Sequence, residues 1–151
     1  MSGGGGRCSR EAIEDEDILL RRVVVDPPYM KLPEGRPSSM SYSLRPGETG
    51  LSVDMERMTS HASAIKDERR YRLFGHTAGA VRALLLCVCH DPCPPEDPGN
   101  EAHALITTAE GRPADCEDET CLQEGAPAKL TKALARKLAM NSVPVNYPDR
   151  H

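Results

Sequence analysis

Read from its amino end, the chain carries no sustained apolar pattern before Ile18, where Ile-Leu-Leu-Arg-Arg-Val-Val-Val runs to residue 25 and meets Pro27-Pro28. A short run with a β-branched end and a proline stop predicts a strand. A second strand is predicted over 50–55, with Leu51, Val53 and Met55 sharing one face. Ser41–Arg45 alternates weakly and predicts a short strand before Pro46-Gly47. Thr59 or Ser60 can cap a short helix that turns Ala62 and Ile65 inward. Tyr71–Phe74 reads as extended, and Thr77 as the N-cap of a helix over 78–85 with Val81, Leu84 and Leu85 as its stripe. Residues 86–89 then leave as a strand, and 102–107 have strand composition. At the carboxyl end Leu130, Leu134 and Leu138 recur at i, i+4 and i+8 behind Pro127, which predicts a helix over 127–140. Strands and helices mix without a βαβ rhythm. The pattern therefore predicts an α+β domain, a small mixed sheet with two or three helices and long Pro/Gly-rich loops.

Length allows one such domain in 151 residues, placed over 17–140 with an acidic loop at 108–126. The glycine run and acids of 1–16 read as a disordered tail, and 141–151 as a second tail. With no Trp and one Phe, the core must be aliphatic. A net charge of -4 argues against general polyanion binding, leaving only the basic face of the terminal helix (Lys129, Lys132, Arg136, Lys137) for nucleic acid. No run approaches the roughly 18 apolar residues of a membrane span, so no membrane partner is expected. The amino end lacks the basic-then-apolar order of a signal peptide, which points to the cytoplasm. There, the six cysteines should be reduced thiols or ligands, and disulfides would be the better reading only for an extracellular protein.

Two groups of residues could carry chemistry. Cys87, Cys89, His90 and Cys93 lie within seven residues, followed by Cys116 and Cys121. Thiolate and imidazole are the ligands of tetrahedral zinc, although a one-residue gap is narrower than the usual knuckle. The alternative is that Cys87 and Cys89 share a strand face as small core residues. The second group begins with Arg21-Arg22 inside the apolar strand. Side chains alternate along a strand, so one guanidinium must share a face with apolar neighbours and needs a partner or an anionic ligand. Ser38, Ser39, Ser52, Asp54 and His103 lie on or beside other predicted strands. If they converge, they form an anion clamp with hydroxyl donors and a group titrating near neutrality. The bland reading leaves the arginines at a sheet edge, the serines in turns and His103 as a satisfied core residue. Gly3–Gly6 has no Gly-Lys-Ser/Thr ending and is no phosphate loop.

Several segments, taken in order, resemble a family of small bacterial proteins with no established activity. They are Leu20-Arg21-Arg22, Arg36-Pro37-Ser38-Ser39, Gly50-Leu51-Ser52-Val53-Asp54, Thr77 to Leu84 and Ala102-His103-Ala104-Leu105-Ile106. The resemblance implies a shared architecture and a list of positions, not a reaction, and leaves the cysteines and the acidic loop outside the shared pattern. The favoured expectation is a non-enzymatic interaction or accessory protein of a bacterial multigene system, meeting a protein partner. One alternative is a small transferase- or ribonuclease-like enzyme acting on a nucleotide or RNA through Arg21, Arg22, Ser38, Ser39, Ser52 and His103. The other is a zinc-stabilised binding module with Cys87, Cys89, His90, Cys93, Cys116 and Cys121 as ligands.

Overall fold

The computed structural model describes residues 8–145. Eight strands are placed in it: β1 (Ile18–Val24), β2 (Met30–Lys31), β3 (Arg36–Pro37), β4 (Leu51–Met55), β5 (Tyr71–Thr77), β6 (Cys87–His90), β7 (His103–Thr107) and β8 (Val143–Pro144). Six form an antiparallel sheet in the order β6-β7-β4-β1-β5-β8, and β2 pairs with β3 in a separate hairpin. Three α-helices accompany them, α1 (His61–Ile65), α2 (Ala78–Arg82) and α3 (Lys132–Asn141). The α+β class is that of the sequence pattern.

The cross-strand register sorts the side chains onto two faces. Leu19, Val53, Met55, Val88, Ala104 and Ile106 point to the main core, with Ala78 and Val81 of α2 and Leu134, Ala135, Leu138 and Ala139 of α3. On the opposite face, Leu20 and Leu73 pack under Ala64 and Ile65 of α1, and Cys87 and Cys89 pack under Cys116 and Cys121 of the acidic loop. Between those two patches, the central strands carry a polar strip: Arg22 on β1, Ser52 and Asp54 on β4, His103 on β7.

Local chemistry sets the element ends. Ser60, Thr77 and Thr131 cap the three helices, each side-chain oxygen accepting the backbone N–H three residues on. The terminal helix therefore begins at Lys132, not in the turn after Pro127; the 127–131 stretch remains irregular although Leu130 still packs on the core. Ser41 lies in a 3₁₀ turn, Ser39–Tyr42, rather than a strand. That turn lets Tyr42 reach full burial beneath α3. In α1 the inward residues are Ala64 and Ile65, with Ala62 exposed.

The proposed amino-terminal tail is tied down from residue 8. Cys8 is bonded to Cys93, Ile13 is buried in the main core, and Arg57 bridges Glu11 at 2.8 Å and Asp17 at 2.9 Å. Charged residues read as tail in the sequence are here the partners of distant arginines. The first seven residues lie outside the described part. At the other end, Val143 and Pro144 pair with β5 as the edge strand, while 146–151 lie outside the described residues.

Candidate functional site

All six cysteines are paired: Cys8–Cys93, Cys87–Cys121 and Cys89–Cys116, with Cα separations of 5.7, 5.1 and 5.3 Å. The one-residue gap does put Cys87 and Cys89 on one face of β6, but that face meets Cys121 and Cys116 in pairs, not an ion. A disulfide sulfur is no thiolate, so Cys87, Cys89, Cys93, Cys116 and Cys121 are not zinc ligands in this state, nor are they the reduced thiols expected from the sequence. His90 alternates to the other face. Its Nδ1 accepts the Glu11 N–H at 2.8 Å and its Nε2 donates to the Glu101 carbonyl at 2.8 Å, which occupies both ring nitrogens. Among the described residues no group of three or more His, Cys, Asp and Glu is arranged to hold a metal.

The disulfides fasten the acidic loop over the β6 edge, and Asp118 completes the join. Its carboxylate accepts the Val88 N–H at 2.9 Å, the Thr120 N–H at 2.9 Å and Arg82 Nε at 2.9 Å. Burial opposes ionisation there, but the hydrogen bonds from Thr120, Val88 and Arg82 outweigh it and hold the carboxyl below its ordinary range. The loop thus satisfies a sheet edge that would otherwise be open to pairing.

Of the six residues proposed as a catalytic cluster, the four on strands divide between the two faces of the sheet. Arg21 lies on the main-core side, donating from Nε to Ser41 O at 3.0 Å and from Nη1 to Ser52 O at 2.7 Å, with its guanidinium 5.9 Å from the Tyr42 ring centroid. Burial lowers its pKa from the ordinary value, and the Tyr42 phenol in the same pocket is pushed up to about 12, also by burial. Arg22 lies on the opposite face, 3.0 Å from Ala64 O and 3.6 Å from the Asp54 carboxylate. Asp54 also accepts from Asn100 Nδ2 at 2.8 Å. His103, the cross-strand neighbour of Asp54, is held by Asp91 at 3.1 Å. Arg22, Ser52, Asp54 and His103 therefore do share a surface, but Asp54 and His103 are buried at 5% and 6% exposure and bonded inside the fold.

Ser38 and Ser39 lie elsewhere, beside the terminal helix. They line a cleft of about 320 Å³ together with Lys31, Arg36 and Pro37 of the β2–β3 hairpin and Lys132, Arg136, Ala139 and Met140 of α3. Four of the nine lining residues are cationic and none is acidic. Several cations elsewhere are matched: Arg10 meets Asp115 at 2.8 Å, Arg82 meets Asp15 at 2.7 Å and Lys66 meets Asp97 at 3.0 Å. In the cleft, no salt bridge joins Lys31, Arg36, Lys132 or Arg136 to a carboxylate among the described residues. Arg36 is oriented instead by carbonyls at the end of α3, its Nη2 donating to Met140 O at 3.2 Å and Ser142 O at 3.3 Å. Next to the lining residues in sequence, Leu32 and Met40 are strongly exposed, as is Met140 at the cleft itself.

Sequence reasoning named Ser38 and Ser39 and, separately, the basic helix face. It missed that the hairpin brings Lys31 and Arg36 to them. The signal available was the spacing of those two cations across Leu-Pro-Glu-Gly, a turn sequence that returns the chain on itself. No described helix is long and apolar enough to cross a membrane. Compared with protein families, curated proteins and solved structures, the chain matches none.

Proposed function

We propose that this chain is a non-enzymatic binding module that meets an acidic protein partner through the cleft between the β2–β3 hairpin and α3. The observation carrying this reading is the set of four cations there without a carboxylate among them. Unmatched like charges held together are unfavourable to the isolated molecule, and a partner supplying negative charge relieves them. Exposed Leu32, Met40 and Met140 add apolar anchor points of the kind a peptide surface uses. An acidic protein segment suits the cleft better than a nucleic acid, because the rest of the chain is acidic and repels an extended polyanion. The internal bonding of Arg21, Arg22, Asp54 and His103 supports the binding reading over the enzymatic one. Three disulfides fit a chain that works where thiols are oxidised, rather than in a reducing cytoplasm.

A labelled Glu- and Asp-rich peptide with a Leu or Met every third or fourth residue tests the reading by fluorescence anisotropy. The expected result is binding that weakens at least tenfold in Lys132→Glu/Arg136→Glu and weakens again with added salt. Both side chains are exposed, so the variant keeps its fold. Equal binding by wild type and variant, or preferential binding of a single-stranded oligonucleotide, overturns the proposal.

A further inference from the structure

We infer that the cleft contains a pocket for a phosphate monoester, borne on a side chain of the partner or on a free small molecule. This rests on the binding-module reading and assigns its ligand chemistry. The donors are arranged for an anion with more than two acceptor oxygens. Arg36 uses only Nη2 to hold the carbonyls of Met140 and Ser142, at 3.2 and 3.3 Å. Its Nε and Nη1 make no hydrogen bond among the described residues, which leaves a single N–H donor on each flank of an already oriented guanidinium for contact with an oxyanion.

Ser38 is committed. Its hydroxyl donates to Pro28 O and accepts the Met40 N–H at 3.3 Å, which fixes the turn beside it. The neighbouring Ser39, also a lining residue, lends only its backbone carbonyl, to Ser43 at 2.8 Å; its own hydroxyl has no hydrogen bond among the described residues. Lys31 closes one side, and Lys132 and Arg136, one turn apart on α3, close the other. Glu34, the carboxylate between Lys31 and Arg36 in sequence, sits on the hairpin turn and is not among the lining residues.

The charge decides between phosphate and carboxylate. A glutamate side chain brings one negative charge and two oxygens to four cations. A phosphate monoester brings about -1.5 to -2 and three strong acceptor oxygens, a closer match in charge and donor number. The volume, about 320 Å³, lies at the small end of ligand pockets and suits a phosphate with a short apolar contact to Ala139 and Met140.

Isothermal titration of the full chain with three matched peptides tests this, their centre being phosphoserine, glutamate or serine in one acidic context. Phenyl phosphate is the free-ligand arm. The expected result is that the phosphopeptide binds at least tenfold tighter than the glutamate peptide, and that Ser39→Ala and Arg136→Gln each erase most of that difference without changing the melting temperature. Weakening of the phosphopeptide, but not of the glutamate peptide, as pH falls below about 6 belongs to the same result, since the second phosphate ionisation lies near there. Phenyl phosphate binding as tightly as the phosphopeptide supports the pocket and assigns it to a free phosphate ester. Equal affinity for phosphoserine and glutamate peptides overturns the phosphate pocket while the acidic-partner reading stands. No binding by any probe overturns both.

Discussion

The paired arginines of β1 illustrate how much one residue's placement decides. Strand alternation requires that Arg21 and Arg22 take opposite faces, and they do. Arg21 sits where the β1–β4 ladder ends, and its guanidinium bonds Ser52 O and Ser41 O in place of backbone partners. Arg21→Met keeps the stem and deletes those charge-assisted bonds. Its expected cost is about 2 kcal/mol, read as a lower urea midpoint at unchanged slope. An unchanged midpoint would remove Arg21 from the framework and return it to the list of candidate catalytic groups. His76 makes a different prediction. Burial lowers its pKa, although the hydrogen bond from its Nε2 to Leu138 O at 2.7 Å pulls the other way. A histidine with a depressed folded pKa stays neutral while the unfolded chain takes up a proton. Stability is therefore full above the ordinary value of 6.5 and is lost as pH falls below it toward the folded pKa. The melting temperature should drop between pH 7 and pH 5, and His76→Gln should flatten that drop. An equally steep drop in the variant contradicts the assignment.

At the level of elements, β1, β4, β5, β6 and β7 and the leucine stripe of α3 were legible because period-2 and period-3.6 patterns follow directly from backbone geometry, whereas the two-residue strands β2, β3 and β8 are too short to show a period. Their ends were less so. The apolar stripe begins at Leu130, but the helix waits for the hydroxyl of Thr131, which bonds the Leu134 N–H at 3.2 Å. A cap is a local hydrogen bond, and Pro127 offered a competing start. Least legible was the loop over β6, because disulfide partners meet through the fold and not through spacing. Cys87 and Cys89 were rightly placed on one strand face, yet nothing between residues 108 and 126 says that this segment returns to it. Close approach elsewhere in the same loop leaves little freedom: a Cβ on Gly111 would come within 1.9 Å of Thr49 O. Replacing Cys89 and Cys116 together with alanine removes a cross-link of sequence separation 27 inside the loop that Cys87–Cys121 still closes, and should cost about 2 kcal/mol by the chain-entropy argument, less than an isolated loop of that length. Chemical denaturation of the double variant checks this. A midpoint unchanged from wild type would show that Cys87–Cys121, with Asp118 and its partners, holds the loop without the second disulfide.

For the whole molecule, the main finding is the segregation of charge. Acids of the loop and the amino-terminal segment are matched to Arg10, Arg57 and Arg82 on one side, and Lys31, Arg36, Lys132 and Arg136 stand together on another. The sequence held each half of that cleft, Ser38-Ser39 and the basic helix, but assigned them to different readings. It also grouped the serines with His103, which the sheet places on its far face. Only the three-dimensional return of the β2–β3 hairpin joins the serines to α3 instead. The most direct test of the cleft as the recognition surface is a ¹H–¹⁵N correlation titration of the labelled full chain with the acidic peptide. The account predicts shifts clustered at residues 31, 36–40 and 132–140, with His103, Asp54 and the β6 loop unmoved. Shifts centred on Arg22, Asp54 and His103, with the α3 signals unchanged, would contradict it.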